Sequence, residues 1–448
     1  MRRSGPTLDA LAADLAAERT TARALVEDCL ARIDDPAGQG ARVFISHDGR
    51  RAIEAADAMD RLRRVGAAPS PYAGIPIAIK DLFDVAGEVT RAGSRVLGEA
   101  PARSDALSVA RLRAAGFVLI GRNNMTEFAY SGLGLNPHYG TPLSAYDRAT
   151  GHAPGGSSSG SAVAVADGMA HASLGTDTGG SCRIPAAFNG VVGWKPTARR
   201  IPTDGVSPLS ATLDSVGPIA RSVACCAAMD ALLAGEPRGV RFTDGVGGRR
   251  LLAPTNVVLD DLDPRVAAAF EAALERLAAS GVRIVRAPMP ELDDFLALAA
   301  GGGLVAAESY ATHRRRLATH ASAYDPRVAT RLVIGERYSA ADYIDLVARR
   351  RDLIQRIAER LAGYDAMVAP TVAITPPRMA DLTNDAAYTT INSRVLRNTM
   401  LINLMDGCAI SLPIAKPDEA PVGLMLAAPG GHDRRLLALA EAVEAALS

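Results

Sequence analysis

The sequence predicts an α/β fold, a single compact domain with a central mixed β-sheet flanked by helices. Short apolar runs alternate with helical periodicity in the N-terminal part of the chain. Hydrophobic residues make up 48% of the 448 residues and charged residues 22%, enough material for a large core. Between 150 and 220 the composition shifts to Gly, Ser, Thr and Pro without a regular period, and loops that dense inside a large domain ordinarily carry function.

Residues 7–34 have helical periodicity, with Leu8, Leu11 and Leu15 on one face, and 50–65 repeat the pattern. The runs 75–79 and 117–120 are apolar and of strand length, and an amphipathic helix is expected between them over 106–115. Residues 172–174 read as the end of a further strand that enters a tight Thr-Asp-Thr-Gly-Gly turn. Helical patterns return over 258–282 and 340–363, beyond the turn-rich stretch 236–250.

Bulk properties narrow the function. The net charge is zero and aromatics are 4%, so neither a nucleic-acid footprint nor a membrane-binding charge pattern is visible. The five cysteines (Cys29, Cys182, Cys225, Cys226 and Cys408) are odd in number and form no Cys-x-x-Cys pair. Neither a disulfide framework nor a thiolate metal site is expected, and no cofactor. The N-terminal segment has no uninterrupted apolar core. The longest apolar run, 295–307, holds three consecutive glycines and is too short for a bilayer. The expectation is a cytoplasmic protein.

Two loops dominate the candidate chemistry, GGSSSGS over 155–161 and GTDTGGS over 175–181. The first lacks the Gly-Lys-Ser/Thr ending of a phosphate-binding loop, and no Gly-x-Gly-x-x-Gly follows a strand. Ser158 formally fits a Gly-x-Ser-x-Gly elbow, but the residues before it are polar and end in proline, so a chance match is the better account. His152 and His171 read as structural. The second loop makes a sharper case: its glycines let consecutive N–H groups converge, and Ser181 follows directly, a nucleophile beside a nest of donors. A serine needs something to take its proton. Lys80, one of only three lysines among 49 basic residues, ends an apolar segment and can supply that. A buried lysine loses its charge where arginine keeps it. Cys182 is the rival nucleophile, disfavoured because nothing near it in the sequence lowers a thiol pKa.

These residues resemble the amidase signature family, serine hydrolases of amide bonds. The resemblance rests on GIPIAIKDLFDVAG, GRNNMTEFAYSGLGLNPHYGTP, PGGSSSGSAVAVADG, LGTDTGGSCRIPAAFNGVVGWKPT and LDSVGPIARSV, and continues more weakly to PVGLMLAAP near the end. It implies one amidase domain over 1–448: N-terminal helices over 1–70, a catalytic core over 71–240, a largely helical substrate-side portion over 241–400, and a return to the core over 401–448. By the same resemblance Ser181 is the nucleophile, Ser157 a bridging serine after a cis peptide, and Lys80 the neutral base. Thr178, Gly179, Gly180 and Ser181 become the oxyanion donors, with Asp177, Arg183 and Ser158 in support. Met125, Thr126, Asn403 and Asp406 are carried over as pocket residues. The chain departs from the family at Ser159, Cys182 and Trp194, where glycine, isoleucine or valine, and leucine are usual.

The activity implied is hydrolysis of a small-molecule amide to carboxylate and ammonia through an acyl-enzyme. The alternatives are the glutaminase component of a glutamyl-tRNA(Gln) amidotransferase-type complex and a hydrolase of biuret- or allophanate-like urea derivatives. No nucleic-acid or membrane partner is expected, and the family suggests a homodimer.

Overall fold

The computed structural model describes residues 5–237, 245–416 and 418–448, so the turn-rich stretch 236–250 lies partly outside the described residues. The strands are β1 (Phe44–His47), β2 (Pro76–Lys80), β3 (Val118–Asn123), β4 (Ala172–Asp177), β5 (Val192–Lys195) and β6 (Ser215–Ala220), then β7 (Arg250–Pro254), β8 (Arg283–Ala287), β9 (Ala366–Pro370), β10 (Cys408–Pro413) and β11 (Gly423–Ala428). They form one 11-stranded sheet in the order β1-β3-β2-β4-β6-β5-β10-β11-β9-β7-β8. The sheet is mixed: β2 runs parallel to β3 and β4, whereas β4 and β6 are antiparallel. β10 and β11 come last in the chain yet sit between β5 and β9, joining the two halves.

Local sequence explains most of the elements. The 7–34 periodicity is two helices, Leu8–Ala16 and Ala22–Ile33, broken where Glu18 takes φ 56°. Thr7 and Thr21 each accept an N–H of the following turn at 3.1 Å, capping interactions worth about 1 kcal/mol apiece. The expected strands 75–79 and 117–120 are β2, moved one residue on, and β3, which starts one residue later and ends three residues later, and the helix between them is Leu107–Ala114. Helix Pro264–Ala279 starts on an Asp263 cap with proline in its first turn, and Ala340–Leu361 on a Ser339–Asp342 capping box. The 241–400 portion adds three strands, β7 to β9, to its helices.

By length and composition alone, 291–323 could cross a membrane. Glycines break it, with φ of 70°, 99° and 52° at Gly301, Gly302 and Gly303. Its apolar side chains Leu292, Phe295, Leu298 and Leu304 join the core against Leu401 and Met425, so their hydrophobicity serves packing. Trp194 is likewise core: it is fully buried and its indole N–H donates to Asp230 at 2.8 Å.

Every residue of β2 and β4 is buried, so both sheet faces are covered there, as parallel strands require. Lys80 ends β2 and Asp177 ends β4. The two neighbours therefore deliver their chemistry at their carboxyl ends, where open α/β sheets gather ligands.

Candidate active site

Lys80 is fully buried. Its ammonium donates to Ser157 Oγ at 2.7 Å and to Thr176 Oγ1 at 2.9 Å. Burial pushes its pKa down to about 8, against the pull of Cys182, Asp214 and Asp177. The Gly156–Ser157 peptide is cis. Gly156 has no room for a side chain, since a Cβ would stand 2.5 Å from the Gly134 nitrogen. Ser157 is anchored from its other side, where its carbonyl accepts the Thr126 N–H at 3.1 Å.

The 177–183 loop follows directly from Thr176, the second partner of Lys80. The Ser158 N–H donates to the Ser181 carbonyl at 3.3 Å, which ties the two Gly/Ser loops together. Ser181 is 3% exposed, whereas Ser157 is wholly enclosed. Asp177 and Arg183, both fully buried, form a two-pronged ion pair at 2.8 and 3.0 Å. Burial, the largest single influence, would raise the Asp177 carboxyl, but Arg183 together with Lys195 and Asn403 outweighs it and holds the group well below the usual carboxylate range. Asn403 completes the clamp, accepting from Arg183 at 2.7 Å and donating to the Asp177 carbonyl and carboxylate at 3.0 Å.

One expected donor is corrected. The Gly180 N–H donates to Asp177 Oδ1 at 2.8 Å, so it is committed to the loop's own carboxylate. Thr178, Gly179 and Ser181 are left as candidate donors. Gly180 itself is required, for its φ is 134° and a Cβ would meet Thr399 Oγ1 at 2.2 Å.

The expected pocket residues separate. Thr126 lies against Ser157, with its hydroxyl buried and unpartnered. Met125 is core, its backbone held by Asn124 and Asn136 at 2.8 and 2.7 Å. Asn403 braces the loop from below. Asp406 stands apart, paired with Arg199 at 2.7 Å and Arg350 at 3.6 Å. Ser158 holds the Thr176 carbonyl weakly at 3.4 Å and precedes helix Ser159–Asp167. Burial pushes the Cys182 thiol far up, which disfavours a thiolate nucleophile. Sequence reasoning missed Thr176, whose hydroxyl faces the lysine across the β2–β4 pair. It also missed Asp214, which accepts the Thr178 hydroxyl and which burial lifts to about 6.

Arg183→Met keeps the volume but leaves Asp177 buried without its cation, and will destabilise the fold by about 3–5 kcal/mol in urea titration at neutral pH. Because the folded pKa of Asp177 is depressed, its contribution is present above the unfolded value of 3.8 and lost as pH falls towards the folded one. The gap between wild type and variant will therefore narrow in acid.

The Amidase family model matches residues 24–437. The chain is 37% identical to a 2-amino-5-chloromuconic acid deaminase of Comamonas testosteroni, over 97% of this chain and 94% of that one. It is 33% identical to a mandelamide hydrolase of Pseudomonas putida, over 96% and 89%. A glutamyl-tRNA(Gln) amidotransferase chain of Chloroflexus aggregans is 34% identical, over 98% and 96%. A crystal structure of an amidase superposes with a TM-score of 0.90 at 34% identity, covering 98% of this chain and 99% of that one.

Proposed function

Because the chain belongs to the amidase signature family, whose members act on amide C–N bonds, we propose that it hydrolyses a small carboxamide to carboxylate and ammonia through an acyl-enzyme on Ser181. Ser181 Oγ attacks the carbonyl carbon and passes its proton to Ser157, whose own proton goes to neutral Lys80. The developing oxyanion accepts from the amides of Thr178, Gly179 and Ser181. When the C–N bond breaks, Lys80 returns the proton through Ser157 to the leaving nitrogen, which departs as ammonia. Water then attacks the ester carbonyl, its proton taken by the same relay and delivered to Ser181 Oγ as the ester C–O bond breaks, and the acid leaves and ionises to the carboxylate.

The observation that carries this reading is the buried Lys80 ammonium at 2.7 Å from Ser157 Oγ. A lysine in that position with a pKa near 8 is a base matched to neutral or mildly alkaline chemistry. The amidase rate will therefore rise with pH through an ionisation near 8 and level off above it, as neutral Lys80 accumulates. A rate flat from pH 6 to 9.5 would oppose Lys80 as the base.

The substrate is to be found by ammonia release from aryl, aliphatic and urea-like amides, with 2-aminomuconic acids added because of the Comamonas relative. The 34% identity to the amidotransferase chain supports a second reading, a glutaminase that works with partner chains. Turnover of a free amide by the isolated chain, with no stoichiometric partner in pull-downs, decides for the first.

A further inference from the structure

An oxyanion site works only if its donors are held in place before charge develops. In this chain the holding reaches well beyond the loop. The Thr178 hydroxyl donates to the carboxylate of Asp214, which immediately precedes β6. The other Asp214 oxygen accepts the N–H groups of Leu209 and Ser210 at 3.0 and 3.1 Å. The same turn is gripped from outside by Glu308, in helix Gly303–His320. One Glu308 oxygen accepts the Ser210 hydroxyl at 2.6 Å and the Thr212 N–H at 3.0 Å. The other accepts the Thr212 hydroxyl, and the Tyr343 hydroxyl at 2.8 Å from helix Ala340–Leu361. Two carboxylates have about eight lone-pair sites between them, and most are already taken by these donors. The pair is built to hold these hydroxyls and N–H groups and leaves little with which to bind a cationic ligand.

We propose that Asp214 and Glu308 are positioning residues for turnover at Ser181. Asp214 fixes Thr178 at the head of the donor loop, and Glu308 fastens the turn around Asp214 to the helical half of the chain. The inference rests on the reading of 178–181 as the donor loop. It means that helices Gly303–His320 and Ala340–Leu361, which carry none of the reacting groups, set the geometry in which the reaction occurs.

The test uses a fluorophosphonate on the full chain, separating the maximal labelling rate from the half-saturating concentration. Thr178→Val leaves the Asp214 charge in place and removes only the hydroxyl. It will slow maximal labelling about tenfold, short of the loss of a whole oxyanion donor, with half-saturation nearly unmoved. Thr178→Ser will recover most of that loss. The double variant Thr178→Val/Asp214→Ala will be no slower than Asp214→Ala alone, because Asp214→Ala already removes the acceptor of the Thr178 hydroxyl. Should Thr178→Val fail to fold, Tyr343→Phe tests the outer end, with an expected drop of about two- to threefold in the same rate. Thr178→Val labelling at the wild-type rate, or additive losses in the double variant, overturns the proposal. Ser181→Ala is run alongside: labelling that survives there refutes the nucleophile reading, and the positioning proposal falls with it.

Discussion

Lys80→Arg will abolish amidase turnover as completely as Lys80→Ala. The substitution keeps a cation of similar reach, so any role as a fixed positive charge would survive it. What it removes is the ability to become neutral, because a guanidinium stays protonated in proteins. Lys80 is enclosed on every side, and burial has already brought its pKa to about 8. A general base of this kind contributes about 10²–10⁴-fold, and the whole of that will vanish in either variant. Melting temperature and near-ultraviolet circular dichroism will check that the fold persists. Lys80→Arg retaining more than a few per cent of the rate would remove lysine from the base role.

Ser181→Ala will have the largest effect. A nucleophile acting in a coupled unit carries nearly the full catalytic gain of that unit, on the order of 10⁶-fold in other serine hydrolases. For the same reason, Ser181→Ala/Lys80→Ala will be no slower than Ser181→Ala by itself. Rates from ammonia release in the four proteins complete the cycle. Additive losses would mean that serine and lysine act in separate steps.

The sequence made the core of this site legible because its pieces are contiguous. The apolar strand ending in Lys80 and the two Gly/Ser loops are local patterns, and the pairing of Asp177 with Arg183 spans a single turn. The strands around them were also readable, since runs such as 75–79 are apolar without interruption. The N-terminal helix pair is harder to read, because Glu18 and Arg19 interrupt the stripe for a single turn before it resumes at Ala22 and Val26, and the break depends on Thr21 as a cap. What escaped depends on direction and on distance along the chain. The Gly180 N–H turns to Asp177 because of a φ that no residue pattern encodes. Thr176 meets Lys80 only once β2 and β4 are in register. Glu308 reaches the 209–214 turn from a helix of which the sequence marks only the apolar start, 303–307, and nothing local links the two segments. The resemblance alone makes Met125 and Asp406 pocket residues. One is sealed in the core and the other is held by two arginines.

The central claim is that neutral Lys80, acting through Ser157, activates Ser181. It is tested most directly by fluorophosphonate labelling followed by peptide mass mapping, in wild type and Lys80→Arg, from pH 6 to 9.5. The account predicts a single adduct on the peptide containing Ser181, forming faster as pH rises through about 8 in wild type and not forming in the folded variant. An adduct on another residue, or labelling of Lys80→Arg at the wild-type rate, would contradict it.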